Sequence, residues 1–165
     1  MRRVVIVAAF FILTALAWAQ MPQQHIKRTN PPTLSKPTGY THVVETVGPV
    51  KTVYISGQIA YDEAGNLVGT GDMKAQAEQV FRNLDVALRA AGATFADVVK
   101  MNSYITDMTK AQAVRDVRAK YFGNNAPAST FVEVKGLVRP ELMLEVEVVA
   151  AVREGARVVP ATRQE

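Results

Sequence analysis

Glu145 and Glu147 alternate with apolar residues in a long hydrophobic stretch, LMLEVEVVAAV at 142–152. Carboxylates on one face of a strand can orient or deprotonate water, and they are costly in a dry core without partners. Other polar residues share the face expected for them. These are Ser56 and Gln58 in ISGQ, and Ser129 and Glu133 flanking Phe131 in PASTFVEV. Ser56 lacks the G-x-S-x-G elbow of a hydrolase nucleophile and has no obvious histidine base, so serine nucleophile chemistry is not expected. His25 and His42 are widely separated and no cysteine supports them, which argues against a metal centre. Gly69, Gly71 and Gly92 do not form a phosphate loop. On residue type alone the polar set reads equally well as the surface of an open sheet.

The elements that must position these residues follow from changes of hydrophobic period. Thr52–Ala60 alternates as a strand, with Val53, Ile55 and Ile59 on one face and Tyr54, Ser56 and Gln58 on the other. A turn at 62–66 leads to a helix capped by Asp72 and running to about Ala91, with Gly92 placed for a left-handed C-terminal cap. Its stripe is Ala77, Val80, Phe81, Leu84, Leu88 and Ala91. Val98–Thr106 reads as a strand, and a helix capped by Thr109 carries Ala113, Val114, Val117 and Tyr121 before Gly123. Thr130–Val134 and Leu142–Val152 are the last strands. Amphipathic helices cover only one face of a sheet. Leu142, Leu144, Val146, Val148, Ala150 and Val152 are expected under the helices, together with Val132 and Val134. Ser56, Gln58, Ser129, Phe131, Glu133, Glu145 and Glu147 are then expected on the uncovered face. Met143, Val149 and Ala151 make that face too apolar for free solvation, so a homo-oligomer enclosing polar clefts is expected.

The N-terminus reads as a signal peptide, residues 1–19. Arg2 and Arg3 precede an uncharged apolar run from Val4 to Leu16, and Ala17-Trp18-Ala19 offers a cleavage site before Gln20. The alternative, a spanning anchor, needs about 20 apolar residues. The expectation is export to a periplasmic or extracellular location, with no membrane segment in the mature chain. Residues 20–37 read as an extended linker outside the core, 38–153 as one α/β domain and 154–165 as a tail. The sequence contains no cysteine, so neither disulfides nor thiol chemistry is available. The formal charge of +4 resides in the flanks, because residues 36–153 hold 13 basic and 13 acidic side chains. A balanced domain carries no basic stripe for nucleic acid.

Tyr40-Thr41-His42, Ile55-Ser56-Gly57-Gln58, Pro127-Ala128-Ser129-Thr130 followed by Phe131-Val132-Glu133-Val134, and Leu144-Glu145-Val146-Glu147 occur in this order around two helices. Over Gly39 to Val152 the chain resembles the reactive intermediate/imine deaminase family (RidA/YjgF, formerly L-PSP endoribonuclease). The resemblance implies an α+β, chorismate-mutase-like fold with two helices on one sheet face. It also implies a homotrimer with small-molecule clefts between subunits and no cofactor. In the deaminase branch an arginine of a P-A-R motif clamps the substrate carboxylate, and a glutamate of the final strand positions the hydrolytic water. The resemblance places Glu145 as that glutamate and Tyr40, Ser56, Gly57, Ser129 and Phe131 as substrate contacts. Ser129 stands where the arginine belongs. One neutral hydroxyl replaces a planar, charged fork, which removes a strong bidentate contact; Arg139 is the nearby arginine in sequence. Two readings follow: a hydrolase of imines, enamines or related small C–N compounds, and a non-catalytic trimer binding a small metabolite or a partner in the same clefts.

Overall fold

A computed structural model describes residues 25–153, so the expected signal peptide and C-terminal tail lie outside the described residues. The centre is a four-stranded sheet of β3 (Val50–Gln58), β4 (Val98–Ile105), β5 (Ala128–Glu133) and β6 (Leu144–Arg153). Its order is β3-β6-β4-β5. The strand β6 runs antiparallel to β3 and β4, while β4 and β5 are parallel. A parallel pair needs a crossover, supplied by α2 (Ala111–Phe122); α1 (Met73–Ala90) connects β3 to β4. Both helices pack on one face, giving the expected α+β architecture.

Local chemistry explains where α1 starts and stops. The Asp72 carboxylate accepts from the backbone N–H of Lys74 and Ala75 at 2.9 and 3.1 Å, satisfying donors that the first turn leaves orphaned. Gly92, at φ +71°, ends the helix in the left-handed region, which costs glycine little. Between them Ala77, Val80, Phe81, Leu84 and Leu88 are fully buried against the alternating row Leu144, Val146, Val148 and Ala150 of β6. Phe81 of α1 stacks on Tyr121 of α2 at 5.2 Å, joining the two helices, and Phe95, in the 3₁₀ turn before β4, meets Phe122 of α2 edge-on at 5.1 Å. Asp72→Ala is expected to lower stability by about 1 kcal/mol, read as a fall in the urea midpoint at unchanged slope.

Three details depart from the sequence reading. Asp107, not Thr109, makes the cap before α2. Its carboxylate accepts from Thr109 N at 3.0 Å across a short 3₁₀ turn, Met108–Lys110, and α2 follows directly. The hydroxyl of Thr109 is the first cause holding the Asp107 pKa below the usual carboxylate range. Second, residues expected to stay apart from the core contribute β1 (Ile26–Thr29), paired antiparallel with β2 (Val43–Thr46). Ile26 is 3% exposed, and the Arg28 guanidinium donates to the carbonyls of Ala96 and Val98 at 3.0 and 3.3 Å. Four residues are too short to show a period, which is why composition alone suggested a linker. Third, β5 begins at Ala128, two residues early, and its faces are inverted relative to expectation, as the site makes plain.

Candidate functional site

The uncovered face of the sheet is built by alternation. Leu144, Val146 and Val148 point to the helices, so Glu145 and Glu147 point away. On the neighbouring β4, Met101, Ser103 and Ile105 are buried, which leaves Lys100, Asn102 and Tyr104 beside the glutamates. Asn102 pairs with Glu147 and Tyr104 with Glu145 in the antiparallel register. Glu147 is firmly held: its Oε1 accepts from Asn102 Nδ2 at 2.7 Å and from the Tyr104 hydroxyl at 3.1 Å. Donation to Glu147 is the main reason that the Tyr104 pKa lies above its ordinary value, so the phenol remains a proton-bearing donor. Lys100 Nζ donates to Thr130 Oγ1 at 2.8 Å. Tyr54, Ser56, Lys100, Asn102, Glu147 and Val149 line a hollow of about 220 Å³ on this face.

Glu145 is held differently. Its carboxylate makes no hydrogen bond or ion pair among the described residues. It lies directly over Gly57, where a β-carbon would overlap its Oε1. A register shift between Ile55 and Gln58 brings Gly57 to this position. The same bulge corrects the placement of Gln58. It pairs with Val146 and, with Gln79, Asn83 and Val86, lines a hollow at the helix side, so it does not join the glutamates.

Ser129, Phe131 and Glu133 are also corrected. The parallel register sets Ser129 opposite Met101, Phe131 opposite Ser103 and Glu133 opposite Ile105, all on the helix side. Phe131 packs against the core beneath Arg115, whose guanidinium carbon stands 5.7 Å from the ring centroid. The Ser129 hydroxyl is buried and has no hydrogen-bond partner among the described residues. Glu133 accepts from Met108 N at 2.6 Å, bracing the turn before α2. Val132, expected under the helices, is 39% exposed on the other face. Apolar residues occur at both Phe131 and Val132, so alternation within this edge strand does not fix its faces; the parallel neighbour does.

Tyr40 is half-buried with its ring 5.1 Å from that of His42, edge to face. The next residue, Thr41, ties this segment to the start of β5 through its N–H to Pro127 O at 3.0 Å and its hydroxyl to Ala126 O at 2.6 Å. Tyr40 therefore lies toward the β5 edge, whereas Ser56, Gly57, Glu145 and Glu147 gather on the open face. Arg139 is exposed in the β5–β6 loop. His25 and His42 bond separate backbone carbonyls, Ala151 O and Ser35 O, and among the described residues no three histidine or acidic side chains converge on a metal position. Asn102 and Tyr104 were missed by the sequence reading, although the alternation Lys100, Asn102, Tyr104 was there to be read. Arg118 was missed as well. It is buried, and it occupies a position on the apolar stripe of α2 between Val114 and Phe122.

Comparisons with known proteins agree with this architecture. The Endoribonuclease L-PSP family profile matches residues 33–152. A RutC family protein of Pyrococcus horikoshii is 37% identical over 98 residues, which cover 59% of this chain and 77% of that protein. The crystal structure of a Rid-family protein of unknown function from Yersinia pestis superposes with a TM-score of 0.73 at 36% identity, covering 78% of this chain and all of that one. A Mycobacterium tuberculosis member of the YjgF/YER057c/UK114 family superposes with a TM-score of 0.54 at 35% identity, covering 69% and 87% of the two chains. The sequence motifs, the sheet order and these likenesses have one reading: the chain belongs to the RidA/YjgF (L-PSP endoribonuclease) family.

Proposed function

We propose that the protein is an exported homotrimer that hydrolyses imines, enamines or closely related small C–N compounds in clefts between subunits, with Glu145 as the water-activating group. The observation that carries this reading is the state of Glu145. It is a carboxylate of the open face that makes no hydrogen bond or ion pair among the described residues, and Gly57 leaves just enough room to hold it. In the reaction, water adds to the carbon of C=N while Glu145 takes one of its protons. Glu145 returns that proton to nitrogen, which gives the carbinolamine; its hydroxyl proton then moves to the amino group as the C–N bond breaks, leaving a carbonyl compound and ammonia. Ser56 and the backbone at Gly57 lie beside this carboxylate as substrate contacts, and Tyr40 would join them from a neighbouring chain.

Trimer formation is supported by what the sheet leaves uncovered. Tyr54 is 80% exposed on the open face, with Val132 on the same side. Burial of such residues between copies is favourable by about 25 cal/mol per Å². Static light scattering of the purified protein is expected to give three chains, and a stable monomer would remove the clefts on which the reading depends. An endoribonuclease role has less support, since the described histidines are each tied to a backbone carbonyl and no acid–base pair of histidines forms.

The direct test generates imines with an amino-acid oxidase and follows the loss of their semicarbazide adduct. Accelerated hydrolysis by the wild-type protein supports the reading. No acceleration across carboxylated and uncarboxylated imines leaves the non-catalytic binding trimer. Gly57→Ala is expected to lower the rate at least tenfold by displacing the Glu145 carboxylate, a 1 Å misplacement being worth as much as about 10²-fold. Unchanged circular dichroism melts would separate that effect from unfolding.

A further inference from the structure

We propose that the hollow between α2 and the segment at Thr38–Gly39 binds a small organic monocarboxylate, with Arg118 receiving the carboxylate. The site uses none of the open-face residues, and the proposal stands whether or not Glu145 hydrolyses imines.

Arg118 is only 9% exposed, on a helix stripe where apolar residues belong. Its guanidinium lies against Gly39, at φ +74°, where any β-carbon would overlap it. Both the missing side chain and the left-handed backbone therefore make room for this cation. Among the described residues no carboxylate comes within ion-pairing distance of Arg118 or Arg115. Burial, and then the neighbouring Arg115 cation, hold the Arg118 pKa below the ordinary arginine value. A buried cation beside a second cation is an unfavourable arrangement that an anion relieves.

The hollow has a volume of about 530 Å³, within the usual range for small-ligand sites. Arg115, Arg118 and Asp116 line it, with the Asp116 carboxylate accepting from Gln112 Nε2 at 2.7 Å. Two cations against one anion leave a single positive charge. A monocarboxylate matches that balance, whereas a dianionic phosphate would face Asp116. Ala119, Phe122 and Ala126 form an apolar wall suited to a short carbon skeleton. Arg118 presents a planar donor fork, the geometry that fits a carboxylate with two parallel hydrogen bonds.

The test is calorimetric titration of the full-length protein with butyrate, using neutral butyramide and inorganic phosphate as parallel probes. Butyrate is expected to bind one per chain, with butyramide and phosphate each weaker by about tenfold or more. Arg118→Met is expected to abolish butyrate binding, and Arg118→Lys to weaken it about tenfold, because an ammonium keeps the charge without the fork. Saturating butyrate should raise the melting temperature of the wild type but not of folded Arg118→Met. If Arg118→Met does not fold, Arg118→Lys alone decides. The proposal is overturned if butyrate fails to bind, if phosphate binds better, or if the Arg118 variants bind butyrate as the wild type does. It is also overturned if wild type ignores butyrate while Arg118→Met changes the mass in light scattering, since Arg118 then answers a carboxylate of a second copy. The imine assay is read independently, so failure here does not touch the open-face reading.

Discussion

Glu145→Gln is expected to lower imine hydrolysis by about 10²–10⁴-fold, the usual contribution of a positioned general base, while melting temperature and oligomeric mass stay as in the wild type. The substitution is nearly isosteric, and the carboxylate it removes makes no hydrogen bond or ion pair among the described residues, so the fold has nothing to lose there. Glu147→Gln is the informative control two residues away. A glutamine carbonyl can still accept from Asn102 Nδ2 and the Tyr104 hydroxyl, now at 2.7 and 3.1 Å from Glu147 Oε1, so that variant should keep most of its activity. Equal losses in both variants would point to the charge of the face rather than to a base at one position. Full activity in Glu145→Gln would sink the hydrolytic role and favour the binding trimer.

How far these residues could be read from sequence depended on how many neighbours fix each one. The helix α1 was legible because its signals are local: Asp72, the stripe from Ala77 to Leu88, and Gly92 each act within a few residues. The faces of β6 were equally clear, since ten residues of alternation leave one consistent assignment. The placement of Glu145 on the open face followed from that parity. Ser129 and Phe131 did not follow. In β5 the face is set by hydrogen bonding to β4, a partner distant in sequence, and Phe131 and Val132 satisfy either assignment. The bulge at Gly57 likewise depends on Glu145 across the ladder, so Gln58 was placed one face wrong. Position 129, where the resemblance set an arginine, also reads differently in the structure: Ser129 points to the helix layer, where its hydroxyl has no hydrogen-bond partner among the described residues and where the buried Arg118 is found.

Arg118 has a counterpart on the other helix, and the second large effect is expected there. Gln76 is fully buried on the stripe of α1, yet polar. Its Nε2 donates to Gly69 O at 3.2 Å and Glu141 O at 2.8 Å, and its Oε1 accepts from Met143 N at 2.8 Å. One side chain thus holds the loop before α1 and the last turn before β6, two residues ahead of Glu145. Gln76→Leu keeps the volume but strands two backbone groups, Glu141 O and Met143 N, while Gly69 O keeps its bond from Asp72 N at 3.0 Å; an unsatisfied buried group costs about 1–3 kcal/mol. Some of them will find water, so the expected loss is about 2–4 kcal/mol, read as a lower urea midpoint with the slope unchanged. Gln76→Glu should be worse at neutral pH than at low pH. A buried carboxyl without a cation has its pKa raised on folding, so the stability it retains when protonated is lost as pH rises. A loss below about 0.5 kcal/mol for Gln76→Leu, the range of ordinary surface substitutions, would show that these bonds do not hold the start of β6. The positioning of Glu145 would then have to come from the Gly57 bulge alone.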